Sequence, residues 1–81
     1  MPNVNQNSRE FTGTVGIIPA GHTCGHITAD GGDVTLTFEN GDTYVIADGE
    51  TFPIWHMGEP YHEIRVSAPG TTSAKCSWIM A

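Results

Sequence analysis

The clearest hydrophobic pattern in the chain lies at residues 34–38, where Val34, Leu36 and Phe38 alternate with Thr35 and Thr37. Successive side chains of a strand point to opposite faces, so this alternation predicts a strand with one buried face. Asn40-Gly41 follows, the favoured pair for a two-residue hairpin turn in which both central residues take positive φ. Residues 43–47 then predict the return strand. The same reading along the chain predicts further strands over 10–18, with Phe11, Val15 and Ile17 in step, and over 23–29, 51–55, 61–67 and 73–80. Pro19-Ala20-Gly21, residues 30–33, Asp48-Gly49-Glu50, residues 56–60 and Ala68-Pro69-Gly70 are the predicted breaks. Pro53 limits the strand it sits in, because proline has no N–H to give to a ladder.

Helix signals are almost absent. Leu36 is the sole leucine, against ten Thr, seven Ile and five Val. β-branched side chains are stiff at χ1 and suit a pleated surface. Ten Gly and five Pro punctuate the chain about as often as short strands require. The expectation is an all-β fold: a compact antiparallel β-sandwich or jelly-roll-like domain of seven to eight short strands. Residues 1–8 are polar and Asn-rich and are expected to form a flexible arm, with 9–81 as a single domain. Met1 reads as the start of a complete small gene product. A domain of this size buries only about 60–65% of the surface its unfolded chain exposes, so oligomerisation or docking onto a larger body would stabilise it.

Charge narrows the function classes. Nine acidic residues against Arg9, Arg65 and Lys75 give a formal net charge of −6. Three cations supply no basic footprint for nucleic acid and little attraction to an anionic membrane. No stretch approaches the ~20 apolar residues of a membrane-spanning helix, and the first residues lack the basic and apolar regions of a signal peptide. The chain is therefore expected to fold in a reducing cytoplasm, with Cys24 and Cys76 as free thiols.

Four constellations are candidates for chemistry or binding. His22, Cys24 and His26 alternate along a predicted strand, and imidazole and thiolate are the usual zinc ligands; His56, His62 and Glu63 would complete such a site. Glycines at 21 and 25 argue against a straight strand there, and the spacing is no known zinc signature, so no metal or other cofactor is assigned. The carboxylates stand mostly beside Gly, Asn or Pro, as turn residues do, and no pair is spaced for a shared pocket. Cys24 beside His22 or His26 has nothing nearby in sequence to depress its thiol pKa. No catalytic residue is assigned, and the chain is not expected to be an enzyme. The fourth group is Phe52, Ile54, Trp55, Met57 and Tyr61. Trp, Tyr and Met are enriched in interface cores, so these five are the expected partner-binding residues.

Two resemblances add to this. Residues 41–54, with their Gly-Asp turn, strand and Gly49 step, resemble the second half of a cupin-type jelly roll. The chain has no His-x-His pair, the element on which metal-binding cupins build their site. Over most of its length, in Phe11-Thr12-Gly13-Thr14, Ile18-Pro19-Ala20-Gly21 and the Thr- and Gly-rich residues 66–72, the chain resembles the small β proteins of tailed-phage virions. That resemblance implies a capsid decoration, or cement, protein: a homo-oligomer, with a trimer favoured, bound to the major capsid protein of a virion assembled in the host cytoplasm. A tail or spike component, a small cupin-like metal-binding protein, and a carbohydrate- or peptide-binding sandwich with Trp55 and Tyr61 as its platform are the alternatives.

Overall fold

The computed structural model describes residues 6–55 and 62–80, and for residues 6, 7, 22, 23, 55 and 80 the backbone alone. The described chain is all-β. Its strands are β1 (Gln6–Ile18), β2 (His22–Asp30), β3 (Val34–Phe38), β4 (Thr43–Ile46), β5 (Thr51–Trp55) and β6 (Ile64–Met80). Every pairing is antiparallel, and together they form one curled sheet in the order β4-β3-β6-β2-β5, with β1 added on β6.

β6 is the spine. Its first part pairs with β3, from Phe38↔Ile64 to Thr35↔Ser67, and its second part with β2, from Asp30↔Ser73 to His22↔Met80. β1 accompanies it along both parts, from Gln6↔Ile79 to Ile18↔Ile64. The strand count is thus six, where seven to eight short strands were expected. Ala68-Pro69-Gly70 does not turn the chain back. It lies within β6 as an irregular excursion, in which the register jumps from Thr14↔Ala68 to Thr12↔Ser73. Gly13 and Gly70 both take φ of +64°, and a side chain on Gly13 would meet the Gly70 carbonyl oxygen at 2.8 Å. Glycine is needed here because the two backbones cross closely while each is in a left-handed conformation. Beyond the crossing, buried Thr72 packs against Gly32.

The expected arm is shortened as well. Ser8 pairs with Ser77, Asn7 with Trp78 and Gln6 with Ile79, so residues 6–8 are ladder. Residues 1–5, the remainder of that arm, lie outside the described residues.

Gly13 also shifts the phase of β1. Phe11 shares a register position with buried Ala74, and Gly16 with buried Val66. One inner position is odd and the next even. Val15 and Ile17, expected in step with Phe11, therefore face outward at 55% and 46% exposure, while Gly16 and Ile18 face inward. A one-residue irregularity moves every later side chain to the other face. The phenyl ring of Phe11 lies over Gly16, where a Cβ would collide with it.

The β3–β4 hairpin forms where the alternation placed it, with a different turn. Phe38 N–H donates to the Asp42 carbonyl at 2.8 Å and Gly41 N–H to the Phe38 carbonyl at 2.9 Å. The loop has three residues, and only Gly41 takes positive φ, at +93°. That is a type I turn closed by a left-handed glycine. Asn40 Oδ1 accepts from the Asp42 N–H at 3.0 Å, which favours this geometry over the two-residue turn.

The concave face holds the core. Ile18, Ile27, Leu36, Ile46, Ile54, Ile64 and Val66 are all but fully buried, with Ala29, Val34, Ala68, Ala74, Cys76 and Trp78 completing the cluster. The curl brings the two ends of the sheet together. Phe52 of β5 stacks at a tilt against Tyr44 of β4, with centroids 5.0 Å apart, and against Phe38 of β3 at 6.2 Å. The β4–β5 connection is tied across the opening by hydrogen bonds from Gly49 N–H to the Ala29 carbonyl and from Ala29 N–H to the Glu50 carbonyl. Asp48 Oδ1 accepts from Gly31 N–H, and Asp33 Oδ1 from Asp48 N–H. These aspartates serve as turn acceptors, as their Gly neighbours suggested.

Candidate functional site

Of the expected partner-binding residues, only Phe52 and Ile54 have described side chains, and neither faces fully outward. Ile54 is 2% exposed and belongs to the core, and Phe52 is half-buried where it closes the curl. Trp55 is the last residue of β5, with only its backbone described; Met57 and Tyr61 lie outside the described residues.

The histidine set is spread out. His22 pairs with Met80 at one end of β6, while His62 precedes Ile64 at the other. His26 pairs with Ser77 and is exposed, and His56 lies outside the described residues. Among the described residues no group of three or more His, Cys, Asp or Glu could hold a metal ion. His62 instead makes a solvent-exposed contact, Nδ1 to Glu39 Oε2 at 3.2 Å. It stands at an open cleft of about 300 Å³ lined by Phe38, Glu39, Asn40, Asp42, His62 and Glu63.

The cysteines are free and lie on opposite faces. Cys24 shares a register position with exposed Ile79, and Cys76 with buried Ile27. Burial pushes the Cys76 thiol from 9.0 up to about 12. The folded state therefore holds this proton more tightly than the unfolded chain does. Above pH 9 the unfolded chain gains by ionising, so stability falls as pH rises from 9 towards 12. We expect the melting temperature to drop between pH 8 and pH 11, by a smaller amount in Cys76→Ala; equal drops in both proteins would contradict this assignment.

The outer face of the β1–β6–β3–β4 half is the feature that sequence reading did not find. The registers place Val15, Ser67, Thr35 and Val45 in one row across the four strands, and Ile17, Arg65, Thr37 and Thr43 in the next. Val15, Ile17 and Val45 are three of the five large hydrophobics exposed among the described residues. Arg65 is the single charge in these two rows, in a chain whose net charge is −6. Among the described residues the ion pairs are His62–Glu39 and Lys75–Asp30, so Arg65 is left to the surface. A β-branched, nearly uncharged sheet face with one guanidinium has the composition of an interface core rather than of a solvated surface. The signal was in the sequence as Gly13 and Gly16, glycines inside a strand pattern, which mark a bulge and a close approach.

No protein-family model matches the chain, and no curated protein matches it. Among solved structures it is similar in fold to protein NMB1881 from Neisseria meningitidis. The two share 14% sequence identity with a TM-score of 0.57, over 100% of this chain and 84% of that one. At that identity the likeness concerns the fold alone, and it supports the curled all-β architecture described above.

Proposed function

We propose that this chain is a structural protein-binding module, and that it serves as a capsid decoration protein bound to the major capsid protein of a virion. The observation that carries the binding role is the outer face of the β1–β6–β3–β4 half. Val15, Ile17 and Val45 provide desolvatable area, and Arg65 provides one charge that selects an acidic or carbonyl-rich counterpart. The face is built on paired strands, so its side chains are ordered before binding, which lowers the entropic cost of association. The virion setting is drawn from the Thr- and Gly-rich resemblance to small phage β proteins. It suits a domain of 81 residues that gains stability from any partner binding only its folded state.

Arg65→Glu and Val45→Asp test the docking face. Each is expected to weaken binding to purified capsid shells at least tenfold, or about 1.4 kcal/mol, while the circular dichroism of the free protein stays that of the wild type. Undiminished co-sedimentation of both variants with shells that hold the wild type would remove this face from the interface.

A further inference from the structure

We propose that two copies of this chain associate by pairing their β1 strands edge to edge, antiparallel about a two-fold axis near Gly16, so that two curled sheets become one. The inference concerns the edge of β1 and holds whichever partner the outer face binds.

Three observations on β1 point to a second copy. Among the described residues β1 pairs with β6 alone, so its other edge presents unsatisfied N–H and C=O groups along a 13-residue strand. Monomeric proteins guard such edges with Lys, Pro or inward charge. Residues 14–18, beyond the irregularity at Gly13, contain none of these, nor a bulge of their own. The second observation is the placement of charge. The nine carboxylates and three cations all lie outside residues 11–29, the longest run in the chain without a formal charge. A molecule of net charge −6 repels its own copy as a whole, and like charges set opposite each other in a sheet are destabilising. Along this edge there are none to oppose.

The third observation is self-complementarity. Gly13 bends β1 and Pro19 ends it, which leaves residues 14–18 as one straight segment with Gly16 at its midpoint. Antiparallel pairing over the whole segment sets Val15 of each copy opposite Ile17 of the other. Cross-strand pairs of β-branched side chains stabilise a sheet. These are the exposed large hydrophobics of β1, and in the pair they would form one apolar stripe running across both outer faces.

The test is sedimentation equilibrium of the full chain, with Val15→Lys/Ile17→Lys and Val45→Lys as variants. The wild type is expected at twice 8.7 kDa. The double variant should dissociate at least tenfold more readily, with an unchanged melting temperature at concentrations where both are monomers. It takes the net charge from −6 to −4, so general repulsion falls and any loss of association belongs to the edge. Val45 lies on the outer face but away from β1, so Val45→Lys should associate like the wild type. A wild-type monomer at the highest soluble concentration, a trimer, or equal dissociation of Val45→Lys and the double variant would each overturn the proposal.

Discussion

Replacing Gly25 by alanine lowers the melting temperature of this protein by roughly 12–24 °C, on the basis of about 3 kcal/mol for a backbone that must move apart and about 4–8 °C per kcal/mol in a domain of this size. Gly25 sits in β2 with Trp78 of β6 on one side and Ile54 of β5 on the other. Its φ is not positive, so alanine can adopt the conformation. The cost comes from space. A Cβ at this position would fall on the Ser77 carbonyl oxygen, with the carbonyl carbon of Ser77 and the Cα of Trp78 at 2.7 Å. These are backbone atoms of the spine, and no rotamer change relieves the overlap. β2 must therefore lift from β6 where Trp78, Cys76 and Ile54 are buried. Gly41→Ala is the comparison: nothing lies within 4 Å of its Cβ, and only the left-handed φ of +93° is penalised, by about 1–2 kcal/mol. Thermal melts of the two variants should differ clearly. A Gly25→Ala protein that melts at or above Gly41→Ala would show that β2 and β6 do not approach as described.

Leu36→Ala has a comparable effect by the opposite route, an emptied space. Leu36 is fully buried at the centre of β3, between Val66 on β6 and Tyr44 on β4. Truncating a buried leucine costs about 3–4 kcal/mol when the surroundings collapse only partly. Sheet backbone on both sides holds the walls in place here, which places this site in the upper part of the known range. Small domains have stabilities of only about 5 kcal/mol or a little more, so most of the folding free energy would be lost. The urea midpoint of Leu36→Ala should fall by more than half, with the slope of the transition unchanged. Val45→Ala on the outer face should move it little. Similar midpoints for the two would contradict the assignment of Leu36 to the core and Val45 to the surface.

How far the sequence foretold this molecule depended on whether the relevant physics was local. The β3–β4 hairpin was legible because alternation over Val34, Leu36 and Phe38 and the turn residues after it act within ten positions. Even there, the choice of a three-residue turn rested on the Asn40 side chain bonding both the backbone N–H and the carboxylate of Asp42, which the Asn-Gly pair alone does not specify. β5 was placed correctly between its turns. The continuity of β6 was not legible, because Pro69-Gly70 is a strong local turn signal that is overruled by the crossing of Gly13 under Gly70 and by the seat of Thr72 against Gly32. Those contacts join residues more than thirty positions apart.

Two of the expected partner-binding residues are placed by contacts that are equally non-local. Phe52 and Ile54 were read as surface because they neighbour a loop, whereas the curl turns Ile54 inward and uses Phe52 to join β5 to β4. Val15 and Ile17 fall out of step with Phe11 because of the phase change at Gly13, which depends on the partner strand. The outer face of the β1–β6–β3–β4 half was present in the sequence as residues and absent as a pattern, since its two rows draw on four strands.

The central claim, that this chain is a structural component bound to virus shells, is tested most directly by quantitative gel analysis of purified particles from the source culture. The account predicts an 8.7 kDa band in a molar amount approaching that of the major capsid protein. Absence of the chain from such particles would contradict it.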